Sequence, residues 1–357
     1  LFTGGAIGGQ KEAADRQRQA AGSAFLATAS DVAMDALTAY WSWAKAFHAT
    51  GSFTSAVARL ESHARDVKNQ FDAKAATDND KLAAEVLLDQ TRLKLEESVR
   101  RISVARARLA FLTGREPAEG VVPDTGTNVA AEAVIPESSC LGRTEVARSV
   151  RLAREAELNA ARALVEAARA DYWPRVSLTA HYEEANPNNL FFPPEEKWNS
   201  DAFAGVTATW NLLDWGVTRG KVNESKARMR QAELRLRQAD EQIELEGKEA
   251  RANLQNAIGR LAVSGRLEKS ARRNLEVARD LWGNGMIRHS ELLDAYSRLT
   301  DAEYEAIAAR ADLLLARAGY DHSRGWLTER YMPDDIKAFF RTVIEARKKT
   351  AAEAAAK

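Results

Sequence analysis

The chain repeats one pattern twice, and the two copies are separated by a constant offset of 211 residues. Leu1–Gly9 resembles Leu212–Gly220, and the same offset places Phe71 on Trp282 and continues as far as Ile102. A constant offset over so long a segment is typical of an internal structural repeat, which has to be recognised before the fold is assigned. Each copy consists of a long helical segment, a short break and a second long helical segment.

Apolar and small residues recur within each copy at alternating steps of three and four residues. Such steps form a heptad seam, along which neighbouring helices pack side by side. The seam residues are Leu88, Leu95, Ile102, Ala105, Leu109 and Leu112 in the first copy, and Ala232, Leu236, Ala239, Ile243, Ala250, Leu254, Ala257, Leu261, Leu292, Ala295, Leu299, Ala302, Ala306, Ala309, Leu313 and Ala316 in the second. A helix over residues 217–280 would be roughly 95 Å long, far more than a globular domain needs.

Between the copies the period changes to two, over residues 175–183 and 202–212. Alternation over about ten residues is the pattern of a tilted membrane strand, although a half-buried hairpin of a soluble protein would also show it. The face expected toward lipid consists of Val176, Leu178, Ala180, Tyr182, Val206, Ala208 and Trp210. The face expected toward the lumen consists of Ser177, Thr179, His181, Thr207 and Thr209. A hairpin is not stable alone, so these strands require others.

Composition excludes several classes of function. Lys plus Arg and Asp plus Glu both number 51, so the zero net charge gives no general attraction to nucleic acid or anionic lipid. Cys140 is the only cysteine, and the histidines at 48, 63, 181, 289 and 322 have no ligand spacing, so we expect no metal and no cofactor. No nucleophile lies in a recognisable catalytic motif, and no stretch reaches the roughly 18 apolar residues of a membrane helix. The chain is therefore predicted not to be an enzyme.

Four segments resemble the TolC-type outer-membrane efflux protein family. Ala170–Ala180 is similar to the helix-to-strand entry of that family, and Trp210–Gly216 is similar to its strand-to-helix exit. Gly285 followed by Ser290–Ala295 resembles its segment at the periplasmic tip, and Leu1–Gly5 matches the strand exit of the first repeat. The resemblance covers essentially the whole chain.

The resemblance implies a homotrimer in which each protomer gives strands to a shared outer-membrane β-barrel and long helices to a periplasmic α-barrel. The expected fold class is mainly α, with long antiparallel coiled-coil helices and a short two-stranded hairpin. The implied function is a passive exit duct in the outer membrane of a Gram-negative bacterium, for tripartite efflux or type I secretion. Drugs, small molecules or proteins would be delivered by an inner-membrane pump and a periplasmic adaptor (membrane fusion) protein. The alternative is a soluble coiled-coil scaffold or a periplasmic adaptor protein.

These expectations divide the chain into six segments. They are a first helical-hairpin repeat (1–114), a linker that the family places at an equatorial collar (115–141), a helix leading to the membrane (142–174), the β-hairpin (175–212), a second helical-hairpin repeat (213–320), and a C-terminal equatorial segment with a tail (321–357). Because the chain opens on a strand exit without a signal peptide, we expect it to be truncated at its amino end.

Two acidic residues near the second break correspond to the aperture that the resemblance implies. Glu291 and Asp294 are three residues apart at the start of a predicted helix and therefore share one face. Matching family positions imply an acidic ring at the periplasmic aperture, whereas the alternative is acids that only stabilise a first helical turn. The family also closes its tip with polar bonds, which implies a gating latch of altered chemistry at Asp80, Trp282 and Arg288, for example between Asp80 and Arg288. Exposed charges near a turn are the alternative to a latch.

Overall fold

The computed structural model describes residues 2–118, 121–124, 149–186, 193, 196–325 and 327. The elements are α1 (Ala6–Asp72), α2 (Asp78–Thr113), α3 (Ser149–Arg169), a 3-10 turn (Ala170–Tyr172), β1 (Arg175–Ala185), β2 (Asn199–Thr209), α4 (Val217–Gly283) and α5 (His289–Ser323). This is the predicted fold class, with long helices and one short antiparallel hairpin. Most of the predicted linker with Cys140, most of the loop between the strands, and the C-terminal tail lie outside the described residues.

The two copies have the same backbone once the offset of 211 residues is applied. α1 and α4 begin at residues 6 and 217 and end at residues 72 and 283, while α2 and α5 begin at residues 78 and 289. Left-handed backbone recurs at the same positions, because Lys74 (φ 60°) corresponds to Gly285 (φ 71°) and Gly114 (φ 68°) corresponds to Gly325 (φ 76°). The repeat recognised in the sequence is therefore present in the backbone at the level of single residues.

The described chain divides into two compact units. The strand unit comprises residues 1–27 and 147–243, and the helical unit comprises residues 28–146 and 244–357. In the strand unit, α3 has an apolar stripe at helical spacing, and the buried members of this stripe are Ala153, Ala156, Leu158, Ala160, Ala163 and Val165. Arg151 of α3 pairs with Asp240 of α4 at 2.9 Å, which links two elements of this unit.

The predicted seam residues form the contacts between helices. Each of them is buried or partly buried, and Leu254, Leu313 and Leu299 are at most 3% exposed. In the helical unit, one core cluster joins residues from both copies, with Leu60 and Leu88 from the first copy packed with residues of the second. The heptad steps therefore predicted the buried faces of these helices correctly.

Charged side chains lie beside the apolar seam of the helical unit. Glu303 of α5 is only 13% exposed, and its carboxylate accepts from Arg59 at 2.9 Å and from Ser52 at 3.1 Å, both on α1. Arg272 of α4 approaches the other carboxylate oxygen at 3.5 Å. A half-buried carboxylate requires such partners, because an unpaired buried charge costs several kcal/mol, on the order of 3–5. Glu303 thus joins the two helical hairpins by a polar contact.

Within the described parts of the chain, no helix has the length and apolar content needed to cross a membrane.

The described beginning of the predicted linker lies against α1. The His48 imidazole is 3.0 Å from the carbonyl oxygen of Pro123, and the Asp124 backbone amide donates to the Tyr40 hydroxyl at 3.1 Å.

The seam can be tested with a matched pair of leucines. Leu313→Ala removes a side chain that is fully buried, whereas Leu267 is 53% exposed. We expect Leu313→Ala to lower the free energy of unfolding by about 2–5 kcal/mol, because it leaves a cavity among well-packed neighbours. Leu267→Ala should change it by no more than about 0.5 kcal/mol. The measurement is denaturant unfolding followed by circular dichroism, and equal losses in the two variants would contradict the assignment of the seam.

Candidate functional site

The hairpin arranges the predicted strand residues on two distinct faces. β1 and β2 pair antiparallel, with Val176 opposite Ala208 and Leu178 opposite Val206. Ala180 and Tyr182 continue the same face, opposite Ala204 and Ala202, so the residues expected toward lipid share one side. Ser177 and Thr207 are opposite each other on the other side. The pairing register therefore agrees with the two predicted faces, while the environment of each face stays a prediction.

Phe203 is the large apolar residue on the otherwise polar face, opposite His181. Its ring lies over Gly205, where an added Cβ would come within 2.6 Å of the ring. The space above Gly205 therefore lets the ring fold over its own strand, as aromatic residues do beside strand glycines. Thr179 is opposite this glycine and Thr209 is opposite Arg175, so the rest of the face remains polar.

The predicted second strand extended to Leu212, but β2 ends at Thr209. Trp210 lies beyond the ladder, and its indole N–H donates to the backbone oxygen of Tyr172 at 3.2 Å. The chain then turns toward Asp214, whose carboxylate accepts from the amides of Gly216 at 3.0 Å and Thr218 at 2.7 Å. Residues 210–212, the end of the predicted strand, therefore lie in the segment that leads to the capped start of α4.

Phe2 continues the sheet on the other edge of β1. The Phe2 amide donates to the Val176 oxygen at 2.9 Å, and the Val176 amide donates to the Phe2 oxygen at 2.7 Å. The two residues form an antiparallel bridge. β1 therefore has hydrogen-bonded neighbours on both sides at Val176, as the resemblance of Leu1–Gly5 to a strand exit predicted.

Both strand exits use the same turn. Gly4 and Gly5 have φ of 62° and 93°, and their counterparts Trp215 and Gly216 have φ of 54° and 87°. At Gly4 a side chain is also excluded by space, because an added Cβ would lie 2.6 Å from the Ala170 oxygen. Trp215 has a side chain in this left-handed conformation, which is uncommon for a bulky residue, and it is 90% exposed.

Exposed aromatic and aliphatic side chains surround the base of the hairpin. Tyr172, Trp173, Trp210, Leu212, Leu213 and Trp215 are each at least 50% exposed. Amphipathic aromatic rings are enriched where a membrane meets water. Large exposed apolar patches on a folded protein are typical of interaction sites.

A second cluster lies at the helix turns of the helical unit. Thr77 begins α2 with a capping box, in which its hydroxyl accepts from the Asp80 amide and the Asp80 carboxylate accepts from the Thr77 amide at 3.1 Å. The Thr77 hydroxyl bond holds the pKa of Asp80 below its ordinary value. In the second copy, Arg288 occupies the position of Thr77 and makes no side-chain cap.

Two histidines separated by 226 residues meet at these turns. Nε2 of His63 on α1 lies 2.9 Å from Nε2 of His289 at the start of α5, and both side chains are buried. Asp80 approaches the other ring nitrogen of His289, Nδ1, at 3.5 Å. The ring of Trp282 packs edge-on against His63 at a centroid distance of 5.2 Å, and Tyr296 lies 5.2 Å away on another side.

Two of the three predicted latch residues lie at the histidine pair, and the third does not. Asp80 and Trp282 both contact the histidine pair, whereas Arg288 is exposed and has no ion-pair partner among the described residues. Asp80 lies beside His289, the first residue of α5, whereas Arg288 is the cap residue before it and makes no side-chain cap bond. Sequence spacing alone could not indicate His63, which is in a different helix.

Burial governs the protonation of the pair. Burial, together with the neighbouring His289, lowers the pKa of His63 to about 4, while Asp66 opposes the shift. Burial also lowers the pKa of His289, against the attraction of Asp80. Both imidazoles are therefore neutral near pH 7. Within the described part of the chain, no group of three or more His, Cys, Asp or Glu side chains could hold a metal ion.

Glu291 and Asp294 lie on α5 just beyond the histidine pair. Both are exposed, Glu291 is in the first turn of the helix, and neither forms an ion pair within the described chain. Asp294 borders a surface depression that α2 lines with Leu82 and Val86. The two carboxylates are free to face solvent or a neighbouring chain.

Comparison with known proteins finds a family match. Residues 148–319 match the family model for "Outer membrane efflux protein". The match covers just under half of the chain and is with the family that the sequence resemblance indicated. No curated protein sequence matches the chain at a significant level.

Solved structures share the fold of this chain at low sequence identity. A membrane protein from Pseudomonas aeruginosa is 21% identical with a TM-score of 0.77, over 91% of this chain and 72% of that one. The outer membrane protein VceC from Vibrio cholerae is 17% identical with a TM-score of 0.76, over 90% and 76%. The CmeC outer membrane channel from Campylobacter jejuni is 14% identical with a TM-score of 0.76, over 94% and 71%.

The matched family and the similar structures are outer-membrane channels rather than enzymes, in agreement with the sequence prediction. The matched residues include the hairpin, the strand exit at Asp214 and the second helical hairpin with His289, Glu291 and Asp294. The first helical hairpin, which contributes His63 and Asp80, lies outside the matched range.

The capping box of α2 can be tested at Thr77. Thr77→Ala removes the hydroxyl that accepts from the Asp80 amide, and we expect the first turn of α2 to lose about 1 kcal/mol, or about fivefold in amide protection. Hydrogen exchange at residues 78–81 measures the loss. Thr77→Ser keeps a hydroxyl at the cap and should retain the protection. If both variants exchange alike, the hydroxyl does not stabilise this turn.

Proposed function

We propose that the chain is one protomer of a trimeric, passive exit duct in the outer membrane. Drugs, small molecules or proteins would pass through it after an inner-membrane pump delivers them, in tripartite efflux or type I secretion. A periplasmic adaptor would dock against the helical hairpins. Energy would come from the pump.

The observation that carries this proposal is the unpartnered apolar face of the hairpin. Leu178, Tyr182 and Val206 share that face and are each at least 60% exposed. A two-stranded hairpin with such a face is not stable in water, so it requires either lipid or more strands. Lipid on one side and strands from other protomers at the edges satisfy both requirements. The exposed aromatic residues at the base of the hairpin support the same location, since aromatic rings collect at membrane interfaces.

The same proposal assigns a role to the acids beyond the helix turn. Glu291 and Asp294 would form an acidic ring at the periplasmic aperture when three protomers meet around one axis. Their exposure and lack of ion-pair partners in the described chain support this role over a structural one. A ring of carboxylates favours cations in a pore. Asp80, Trp282 and Arg288 lie at or beside the turns and would belong to the latch that closes this aperture.

Two neighbouring residues of β2 test the membrane orientation. Val206 and Thr207 lie on opposite faces, so Val206→Arg would place a cation in lipid while Thr207→Arg would place one in the lumen. An arginine on the lipid face costs about 2–4 kcal/mol near the middle of the bilayer. We expect Val206→Arg to reduce recovery of the protein in the outer-membrane fraction.

Thr207→Arg is the matched control, because it adds the same side chain one residue away. It should assemble normally and shift ion selectivity toward anions in planar bilayers. Equal recovery of both variants in the outer membrane would contradict the assignment of the two faces. Recovery of the wild-type protein in the soluble fraction would instead favour a coiled-coil scaffold or adaptor.

The acidic ring is tested by single-channel recording. Glu291→Gln and Asp294→Asn each remove one negative charge per protomer, and the double variant should lose most of the cation selectivity and the sensitivity to trivalent cationic blockers. Glu249→Gln removes an equal charge from α4 and serves as the control. Unchanged selectivity in the double variant, or an equal change in the control, would remove the acidic ring from the proposal.

A further inference from the structure

The contact between His63 and His289 joins the two helical hairpins at their turns. His63 belongs to α1 of the first hairpin and His289 to α5 of the second, and their Nε2 atoms are 2.9 Å apart. Leu60 and Leu292 lie in the apolar cluster beside the pair, and both are at most 2% exposed. A direct side-chain bond between hairpins is thus held in a desolvated position, where its protonation state controls its strength.

The bond requires one proton between two nitrogens. Asp80 lies 3.5 Å from Nδ1 of His289, which favours the tautomer that carries a proton on Nδ1. Nε2 of His289 is then an acceptor, and Nε2 of His63 donates to it. A proton added to Nε2 of His289 would place two N–H groups face to face at a distance that allows only one. The bond then survives only if His63 moves its own proton to Nδ1, and protonation of both rings leaves no acceptor between them.

Few opposite charges around the pair can compensate added protons. Asp80 faces it from α2 and Asp66 from α1, while Arg279 of α4 acts in the opposite direction on His63. The remaining neighbours are the indole of Trp282 and the phenol of Tyr296, whose pKa burial raises, so that it stays neutral. Protonation of both rings is therefore unfavourable unless the rings reach water.

We propose that His63 and His289 form a proton-sensitive clasp between the two helical hairpins. The clasp is closed while both imidazoles are neutral, and proton uptake by the pair releases the hairpin turns from each other. The further step, in which this release opens the aperture, rests on the proposed function of the chain as an exit duct. The clasp itself rests only on the packing of the described residues.

The direction of the pH dependence follows from the folded state holding its histidines neutral. The pKa of His63 is about 4 in the folded chain and about 6.5 when exposed, so the open form binds protons more readily in between. The contact is therefore fully present above about pH 6.5 and is lost as the pH falls toward about 4. Acidification is the trigger.

Spin labels on the two turns measure the clasp without reference to transport. Ala75 and Met286 are exposed and occupy equivalent positions in the two turns, so Ala75→Cys and Met286→Cys in a Cys140→Ser background receive the labels. Distances are recorded by double electron–electron resonance on the purified full-length protein in detergent. We expect the short-distance population to be lost as the pH falls from about 7 to about 4.

Two further histidine variants decide whether the pair is responsible. His63→Gln leaves an amide N–H that can donate to His289 but does not titrate, so its distances should no longer change with pH. His322→Gln is the control, because His322 also bridges α5 to α1 through Asp31 at 2.9 Å, and it should behave like the wild type. An unchanged wild-type distance over this range, or an equal loss in His63→Gln, would overturn the clasp.

Single-channel currents on the same variants test the consequence for opening. A rise in conductance at low pH in the wild type, absent in His63→Gln, is expected. If the labels separate but the conductance does not follow, the clasp stands and its role in opening the duct is wrong. If the protein forms no channel at all, the proposed function fails while the distance measurement still decides the clasp.

Discussion

The apolar face of the β-hairpin is the constraint on which the rest of the strand unit depends. Two strands bury little surface against each other, and here Leu178 and Val206 remain largely exposed although they are directly opposite. Such a face gains stability only when lipid and further strands cover it. The bridge between Phe2 and Val176 shows that β1 already accepts a partner on its second edge. The hairpin therefore requires further strands, and the capped turns at Thr3 and Asp214 fix how each helix leaves the strands.

Duplication explains why so much of the backbone is equivalent and why the turns are nevertheless different. The second residue past each long helix bonds back in the same way, with the Lys74 amide 2.8 Å from the Phe71 oxygen and the Gly285 amide 2.9 Å from the Trp282 oxygen. Lys74 accepts a left-handed conformation that glycine adopts at lower cost. The cap residue then differs, since Thr77 stabilises α2 with its hydroxyl while Arg288 leaves the start of α5 uncapped. The copies share geometry and have diverged in chemistry at the point where they meet.

The sequence predicted the features that depend on local period. Heptad steps identified the buried stripe through Leu254 and Leu313, and alternation identified the two faces of the hairpin, because both signals repeat every few residues. The end of β2 at Thr209 was missed, since the alternation of the sequence continues to Leu212 while the chain already leaves the strand toward the turn at Asp214. The pairing of His63 with His289 was also missed. It depends on the relative register of two helices, and a seam of alanine and leucine does not specify that register to a single residue.

That weakness of the seam gives the polar contacts between hairpins their importance. Small apolar residues allow close approach but tolerate sliding, whereas a polar pair at a seam position fits only one register. Glu303, bonded to Arg59 and approached by Arg272, is one such contact. His63 and His289 are the contact nearest the turns, and they are the ones that protons can alter. An ion pair along the seam together with a titratable contact at its end would let the turns separate while the hairpins stay in register.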